Sequence, residues 1–482
     1  MFSILVTSAL FTAALAAPSL KLKKYVDSLD LEFSFNPVIP AYWTSLPHHR
    51  RTPFSVSPDG KTGYLAYLDA SGSDVHVQHV DVSTMKSKGY NAITIPNLKE
   101  AGGIVGHGSG KGFTLLGNEP IPSGTENAPP GNTPVPAIYR YQKGKQLWKT
   151  FVAGPGVHPD DGLMMSPDMN GDLAYSPESG MYGAYFVVTA YTGFAEGHFG
   201  DSIQYVNERG ALQTIDASSA WGCSHNTGIA FEAAAEPPFA SICAEDQGAI
   251  WLNTDTQGMS NDGVKISNEQ VTNGASGEPV GGMSGSYSSL AKFQNSTEYI
   301  FAWVSRGAVD LTTNDWMGAG YTHAENRTNG RRTAMAILSD KNTLVGPEAT
   351  SEVGAANGDS QVNWVTESQG PDRSNAHVAT FDDTFALVTW EEIASPNCGE
   401  IGFGCSGQFS GTYFQLVNKK GDKVGEPLKS MDTYVAGDMV TVADGKICWP
   451  YVNMDWSLDA ATGYGAPETS TKKMSFACMS LL

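Results

Sequence analysis

The sequence predicts an all-β protein that folds as a seven-bladed β-propeller, with one domain over residues 18–482. Three observations predict this fold. The chain of 482 residues contains 53 glycines and 26 prolines but only 17% charged residues, a composition typical of turn-rich β proteins. Amphipathic stretches of helical period are nearly absent. A short β unit recurs along almost the whole chain, which is typical of radial architectures.

The repeated unit is a run of alternating apolar residues, a tight turn and a second β-rich run. Seven such units begin at Phe54, Lys111, Leu163, Thr227, Ser288, His377 and Met439. Seven sheets of about four strands each suit this length, and six or eight blades remain open. The run LDLEFSF precedes the first unit, and MSFACM at 474–479 follows the last. We expect the first run to add an outer strand to the last blade and so to close the ring.

The first residues predict export. Residues 1–17 are typical of a secretory signal peptide, because an apolar run ends in small residues just before Pro18. The charged segment that usually begins such a peptide is missing. No other stretch approaches the roughly 20 apolar residues of a membrane span. We therefore expect a secreted, extracellular protein with no membrane partner.

Six cysteines, an even number, agree with an oxidising compartment. Fifteen pairings are possible. Short loop closures favour the disulfides Cys223–Cys243, Cys398–Cys405 and Cys448–Cys478. No pair has the spacing of a zinc or redox site, so we expect the cysteines to be structural. Asn295 and Asn326 begin glycosylation signals and are therefore expected on the surface.

Polar residues just before the units are the candidate functional residues, because the first strand of each blade lines the channel and begins on one face. They are His48, His49, Arg50, Arg51, His107, Asp160, Asp161, His225, Asn226, Ser286, Tyr287, Asn375, His377 and Asp438. Histidine suits proton transfer near neutral pH. Capping a strand or binding a neighbouring loop is the alternative role for each residue.

Three further features lie near these positions. His107 is surrounded by glycines that leave the backbone open to a ligand, but their spacing excludes a phosphate-binding loop. His198 has Asp201 nearby to orient its ring. Arg306 follows a strand, from which it could reach the channel or pair on the surface.

Acidic residues permit two other chemistries. The run from Asp168 to Asp172 resembles half of a calcium loop, but it lies where the repeat requires a hairpin turn. Asp160, Asp161 and Asp438 could face each other as the carboxylates of a glycoside hydrolase.

The net charge of -20, from 30 basic and 50 acidic residues, excludes general nucleic-acid binding. It also repels an acidic polysaccharide at long range. Salt limits that repulsion to about 10 Å, so a local funnel of histidine and arginine could outweigh it.

The run SPDGKTGYLAYLDASGSDVHVQHVD, together with GHFGDSIQYVN and WGCSHN, resembles a family of secreted fungal seven-bladed propellers that includes rhamnosyl-glucuronate lyases. Those enzymes release terminal rhamnose from polysaccharides of the gum arabic type. Propeller ulvan lyases are a more distant likeness. The resemblance implies a secreted polysaccharide lyase that cleaves L-rhamnose-α-1,4-D-glucuronate linkages by β-elimination.

In that reaction a base removes the C5 proton, an acid protonates the leaving O4, and a cation offsets the carboxylate charge. We expect His107, or His225 as second choice, to act as base and then as acid. Arg51 or Arg306 would neutralise the carboxylate. Further substrate contacts would come from Tyr287, Asn226, His198 and His377. The chemistry requires no cofactor, although such lyases can carry a structural calcium ion in the propeller centre.

A glycoside hydrolase on the same scaffold and a carbohydrate-binding propeller, or lectin, are the alternatives. A lectin binds through several similar blade sites, whereas these blade starts differ from one another. That irregularity favours a single asymmetric site, as in a monomeric enzyme acting on an acidic polysaccharide. The fold alone decides nothing, because propellers support many chemistries.

Overall fold

The computed structural model describes most of the chain. The described residues are 18–39, 50–89, 91–108, 110–223, 228–245, 249–256, 263–271, 279–280, 287–310, 324–326, 328, 330–349, 362–368, 370–398, 405–454 and 470–482. Within them the chain is β-strand and loop, apart from one 3-10 turn at Pro130–Asn132. No helix in this part of the chain is long and apolar enough to cross a membrane.

The strands form seven antiparallel blades, and the first strand, β1 (Leu20–Phe35), belongs to the last blade. Blade 1 contains β2 (Phe54–Val56), β3 (Thr62–Leu68), β4 (Asp74–Asp81), β5 (Lys86–Ser87) and β6 (Ile93–Pro96). Blade 2 contains β7 (Glu100–Gly106), β8 (Phe113–Glu119), β9 (Val135–Gln142) and β10 (Lys145–Phe151). Blade 3 contains β11 (Met164–Met165), β12 (Gly171–Ser176), β13 (Met181–Ala190), β14 (Phe199–Asn207), β15 (Leu212–Gln213) and β16 (Ser219–Gly222). Blade 4 contains β17 (Ile229–Glu232), β18 (Ala240–Glu245), β19 (Ala249–Leu252) and β20 (Val264–Asn268).

The second half of the ring carries small inserted strand pairs. The first pair, between blades 4 and 5, is β21 (Gln270–Val271) and β22 (Pro279–Val280). Blade 5 contains β23 (Leu290–Lys292), β24 (Tyr299–Ser305), the inserted β25 (Ala308–Asp310) and β26 (Ala324–Asn326), then β27 (Arg332–Asp340), β28 (Thr343–Leu344) and β29 (Asn363–Trp364). Blade 6 contains β30 (Asp372–Thr380), β31 (Phe385–Ile393), the inserted β32 (Asn397–Cys398) and β33 (Cys405–Ser406), then β34 (Phe409–Asn418) and β35 (Lys423–Ser430). Blade 7 contains β36 (Val440–Thr441), β37 (Ile447–Tyr451) and β38 (Thr471–Leu481).

Seven apolar clusters hold the blades together, one between each pair of neighbours. For example, Leu65 and Cys448 belong to the cluster between blades 1 and 7, and Leu116 and Phe186 to that between blades 2 and 3. The middle strands are buried on both faces, as in β8, where every residue is buried. Because each sheet buries both faces against a neighbour, the ring must close. The seven-bladed propeller predicted from the repeats is confirmed.

The ring closes as predicted, with the outer strand of blade 7 supplied by β1. This strand pairs antiparallel with β38, with Leu29 opposite Met474 and Asp30 opposite Lys473. Leu29 is fully buried in the cluster between blades 1 and 7. The two ends of the chain are therefore joined by hydrogen bonds within blade 7, and Leu29 adds apolar contact with blade 1.

The prediction that Lys111 begins the innermost part of the second unit is wrong by one strand. The unit that begins at Lys111 is β8, the second strand of blade 2, and the innermost strand is β7. The reason is composition: β7 contains Glu100 and three glycines, so its alternation of apolar side chains is weak.

The three disulfides form as predicted. Cys448–Cys478 joins β37 to β38, Cys398–Cys405 joins β32 to β33, and Cys223–Cys243 joins the end of β16 to β18. Asn295 lies exposed in the turn between β23 and β24, and Asn326 ends β26. Glycosylation of these two asparagines stays a prediction.

Candidate active site

The innermost strands β2, β7, β12, β17, β23, β30 and β36 all begin at one end of the central channel, which we call the upper face. The hairpins that follow them lie at the other end, the lower face. Loops that join second to third strands return to the upper face, because the strands are antiparallel. Thr52 and Gly437 form a parallel bridge there between the segments leading into blades 1 and 7. Residues just before the innermost strands therefore meet at the upper channel mouth.

Arg51 lies in this mouth with a side chain that is only 2% exposed. Its Nη2 is 2.8 Å from Oδ1 of Asp172, and its Nη1 is 3.0 Å from Oδ1 of Asp438. Nη2 also donates to the carbonyl of Gly102. A Cβ atom at Gly103 would lie 2.6 Å from the same nitrogen. The adjacent glycines of β7 therefore make room for the guanidinium.

The three charges form one buried cluster. Burial raises the pKa of Asp172 to about 6, and burial also raises the pKa of Asp438. Burial opposes the charge on Arg51 too, but the two carboxylates outweigh it and hold the pKa of Arg51 above its ordinary value. Two protein carboxylates thus neutralise Arg51. It does not offer the free cation that we expected to meet a uronate.

An aromatic wall stands beside this cluster. The Tyr287 ring centroid is 5.7 Å from Cζ of Arg51 and 4.4 Å from the ring centroid of His377, on which it stacks. Nε2 of His377 lies 2.9 Å from Oδ1 of Asn375, whose amide donates to Glu391 at 2.9 Å. Asn375 has a φ of +53° at a register shift between β30 and β31. This β-bulge brings the asparagine between the ring and the carboxylate.

The wall positions a tyrosine hydroxyl. Burial lowers the pKa of His377 to about 4, so its ring is neutral near pH 7. Its Nδ1 lies 3.0 Å from the carbonyl of Tyr287, so both ring nitrogens face protein oxygens. The Tyr287 hydroxyl is buried and has no hydrogen-bond partner within the described residues. His377 therefore supports Tyr287, whose buried hydroxyl is left without a partner among these residues.

A cavity of about 530 Å³ opens beside Arg51, between blades 1 and 2. Its walls are residues 35–39, 50–53, 67–72, 100–102, Met169 and Gly171. This volume lies in the range of small-molecule sites, which suits one or two sugar rings.

Glu100, at the start of β7, is a carboxyl in this wall with a strongly raised pKa. One carboxyl oxygen lies 2.9 Å from Nη2 of Arg50, and the other accepts the N–H of Met169 at 2.8 Å. Burial raises the pKa of Glu100 to about 7; Arg50 opposes the rise and Asp168 adds to it. Near neutral pH this carboxyl is therefore present in both protonation states. It can accept a proton from a ligand in the cavity or donate one.

Of the predicted substrate contacts, the structure brings Arg51, Tyr287 and His377 together at the upper mouth. Asn375 and Asp438 lie with them, as their positions before the units predicted. His225 and Asn226 lie outside the described residues, as do His48, His49 and Ser286.

His107 does not open a blade, contrary to the sequence expectation. It lies in the hairpin between β7 and β8, at the lower face. The expectation differed because it took the strand after His107, β8, to be the innermost one. Its buried Nε2 lies 2.9 Å from both the Thr114 hydroxyl and the Tyr182 hydroxyl. Burial lowers its pKa to about 3. Gly112 has a φ of +78°, and a Cβ there would meet the Tyr141 carbonyl, so this glycine serves the hairpin rather than a ligand.

His198 and Arg306 lie apart from the cluster around Arg51. His198 is exposed in the loop between β13 and β14, and Asp201, expected to orient it, accepts the hydroxyl of Tyr185. Arg306 follows β24 at the upper face and is buried, with Nη2 3.9 Å from Sγ of Cys405. Burial and the nearby Arg331 lower the pKa of Arg306.

The acidic residues divide differently from the sequence expectation. Asp160 and Asp161 are exposed in a connecting loop, whereas the side chain of Asp438 is largely buried against Arg51. The run expected to form a hairpin turn instead leads into β12, where Asp172 faces the channel. Asp168 lies 3.5 Å from Arg50, so these residues do not gather around one point as calcium ligands would.

A central calcium ion does not fit the residues present. Asp172 and Asp438, two carboxylates at the channel mouth, are both bound to the guanidinium of Arg51. Two other groups of three potential ligands occur in the described part, Asp201–Cys223–Cys243 and Asp372–Cys398–Cys405. Their sulfurs are in disulfides and so are not thiolate ligands.

Sequence reasoning missed Glu100 and Glu391 and gave Asp172 another role. Glu100 was hidden because β7 was not recognised as an innermost strand. Asp172 was assigned to a turn, although its position just before the apolar Leu173-Ala174 was a usable signal. Glu391 ends an ordinary apolar run in β31 and carries no signal of its own.

No model of a known protein family matches the chain, and no curated protein matches it in sequence. Among solved structures, the chain is similar to a member of the DUF4221 family from Bacteroides vulgatus, with 9% identity, a TM-score of 0.39, and coverage of 96% of this chain and 98% of that one. It is similar to a PL25 ulvan lyase, with 11% identity, a TM-score of 0.36, and coverage of 89% and 81%. It is also similar to an α-L-arabinanase from Penicillium chrysogenum, with 9% identity, a TM-score of 0.36, and coverage of 92% and 97%. We base no conclusion about the reaction on likenesses this weak.

Proposed function

We propose that the chain is a secreted polysaccharide lyase that cleaves L-rhamnose-α-1,4-D-glucuronate linkages by β-elimination. The likeness of three sequence runs to rhamnosyl-glucuronate lyases supports the reaction, and three disulfides support export. The observation that carries the proposal is Glu100, a carboxyl with a pKa of about 7 in the wall of a cavity of sugar size.

Glu100 replaces the histidine that the sequence suggested as base. Its carboxylate accepts the C5 proton of the glucuronate, and the C–H electron pair forms the double bond between C4 and C5. The bond from C4 to O4 breaks, and rhamnose leaves with that oxygen. The protonated Glu100 then returns the proton to the leaving oxygen. One group can perform both transfers because the C5 proton and O4 lie on the same side of a glucuronate ring.

Arg50 replaces Arg51 as the cation that offsets the uronate charge. Its side chain is 64% exposed beside the cavity, and its Nη2 is 2.9 Å from Glu100. An exposed guanidinium can turn to a ligand carboxylate, whereas Arg51 is held by two buried aspartates. A positive charge next to the substrate carboxylate stabilises the dianionic intermediate.

Glycoside hydrolysis is the second candidate, and the acidic groups favour it. Glu100 lies near Asp168, and Asp172 and Asp438 share Arg51, so carboxyls of different proton affinity stand close together. Hydrolysis needs such a pair, one protonated as acid and one ionised. A lectin only binds sugar, so it needs neither carboxyl to have a displaced pKa.

The deciding experiment is ultraviolet absorbance during incubation with gum arabic, together with chromatography for free rhamnose. Elimination gives rhamnose and rising absorbance, because only elimination leaves an unsaturated uronate. Rhamnose without absorbance would replace the lyase by a hydrolase. Binding to the polymer with neither product would indicate a lectin.

Glu100→Gln should lower kcat by about 10²- to 10⁴-fold, because the amide cannot transfer a proton. Glu178→Gln, on an exposed turn at the lower face, is the matched control and should keep full activity.

The pH profile of kcat/KM distinguishes elimination from hydrolysis. For elimination, which needs the Glu100 carboxylate, kcat/KM should rise with pH through about 7; for hydrolysis, which needs the acid, it should fall through the same range. A Glu100→Gln variant with wild-type kcat would remove this residue from the mechanism.

A further inference from the structure

Phe194 is a large apolar side chain left 74% exposed. It lies in the loop 191–198, which joins β13 to β14, the second and third core strands of blade 3. This loop lies at the upper face, the same face as Glu100. Exposed aromatic side chains beside a site often mark a ligand-binding surface, because a ligand that covers the ring removes apolar area from water.

The ring is held in place rather than free. Phe194 meets Trp221 edge to face, with ring centroids 5.7 Å apart and an interplanar angle of 88°. The loop is tied to the preceding connection, since the Leu163 N–H donates to the Thr192 hydroxyl at 2.8 Å and the Tyr191 N–H to the Leu163 carbonyl at 2.9 Å. A pre-ordered ring loses little conformational entropy when a ligand stacks on it.

Trp221 supports the Phe194 ring from the protein side, with its Nε1 buried against the backbone of Gly200. It belongs to β16 and is half-buried, and its Nε1–H has no hydrogen-bond partner within the described residues. A pyranose ring has the matching chemistry, because its C–H faces are apolar and its rim carries hydroxyl acceptors. Exposed Glu196 and His198 follow Phe194 in the loop and offer hydrogen-bonding groups to the sugar rim, which an apolar peptide or lipid would not use.

The aromatic pair is connected to the catalytic cavity through the backbone. Gly193 of the loop packs against Gly162. From Gly162 the chain runs through β11 to Asp168 and Met169, which adjoin Glu100. The aromatic pair and the cavity therefore lie on the same upper face of the propeller.

We propose that Phe194 and Trp221 form a distal sugar-binding platform, on which a pyranose ring of the polysaccharide stacks away from the bond being cleaved. The inference rests on the proposed function for the choice of ligand. The platform gives the enzyme a preference for polymers over short substrates, because only a longer chain reaches it.

The test is Phe194→Ala, with Leu147→Ala as the matched control, since Leu147 is 54% exposed on the outer strand of blade 2. Affinity electrophoresis in gum arabic measures binding without catalysis. We expect Phe194→Ala to weaken polymer binding about fivefold to tenfold, as for the loss of one aromatic contact, and Leu147→Ala to leave it unchanged. Equal binding by Phe194→Ala and the wild type would overturn the platform.

Substrate length gives the second readout. Phe194→Ala should raise KM for the polymer and leave kcat and KM for a rhamnosyl-glucuronate disaccharide unchanged. An equal effect on both substrates would place Phe194 in the catalytic cavity and also overturn the proposal. If the wild type binds the polymer through Phe194 but forms no product, the platform stands and the proposed lyase activity fails.

Discussion

Arg51 at the channel mouth is a neutralising residue for two buried aspartates. Its guanidinium lies 2.8 Å from Asp172 and 3.0 Å from Asp438. Without Arg51, these two carboxylates would need another cation. The cost of burying three charges is recovered only through their mutual contacts, so removal of one partner leaves the others unsatisfied.

Arg51→Met should therefore lower the free energy of unfolding by about 3–5 kcal/mol at pH 7, because two carboxylates lose their cation. The loss should be smaller at pH 5, because Asp172, whose pKa is already raised to about 6, can then be protonated. Urea denaturation at both pH values measures this effect. Arg209→Met, at an exposed turn, is the control. Equal stability of the two variants would contradict the bridging role of Arg51.

His107 has a structural role that can be measured by pH. Its pKa is about 3 in the folded protein and about 6.5 when unfolded, so between these values only the unfolded chain binds the proton. Stability is therefore lost as pH falls below about 6.5, by about 2 kcal/mol at pH 5. His107→Gln keeps hydrogen-bonding groups near Thr114 and Tyr182 but does not titrate. Between pH 8 and pH 5 the wild type should lose about 2 kcal/mol more than this variant; parallel curves would refute the assignment.

At the scale of elements, the pairing of β1 with β38 decides whether the ring stays closed. The pairing joins residues more than 400 positions apart. The apolar side chains of β1 pack into the cluster between blades 1 and 7. Without β1, the apolar faces of these two sheets would be exposed to water.

Leu29→Ala should lower the free energy of unfolding by about 2–5 kcal/mol, because Leu29 is fully buried in that cluster. Val26→Ala, in the same strand but 51% exposed, should change it by less than about 0.5 kcal/mol. Thermal or urea unfolding of the pair measures the difference. If both substitutions were equally mild, β1 would not contribute to closure.

At the scale of the whole molecule, the charge of -20 opposes the binding of an acidic polymer. The proposed site counters it only locally, through Arg50 beside Glu100. Salt screens the long-range repulsion between the acidic protein and the acidic polymer, whereas it screens an ionic contact at about 3 Å much less.

The KM for an acidic polysaccharide should therefore fall as NaCl rises from about 10 mM to about 150 mM, since the Debye length shortens from about 30 Å to about 8 Å. The kcat should stay constant, because the chemistry follows binding. Initial rates at several salt concentrations measure this, with a rhamnosyl-glucuronate disaccharide as the low-charge control. A KM that rises with salt would show that local cations dominate the encounter.

Much of the fold was predictable because it follows from local patterns. Alternating apolar residues and tight turns marked six of the seven innermost regions, and β7 escaped because its glycines carry no side chains. The site was less predictable. Arg51, Tyr287 and His377 were found from their positions before the units, but Glu100 requires knowing that β7 is an innermost strand. The error of one strand at Lys111 moved His107 to the wrong end of the channel.

The sequence by itself predicted seven blades and the three disulfides, because these depend on periodicity and on short separations along the chain. It also predicted the closing strand, because strand-like runs precede the first repeat unit and follow the last. Only the tertiary structure decided which polar groups share the upper mouth. Arg51, Asp172, Tyr287 and Asp438 come from four different blades, and their pKa values depend on burial among those neighbours. Burial and contact across the ring are properties of the assembled molecule, because no local stretch of the chain contains both partners.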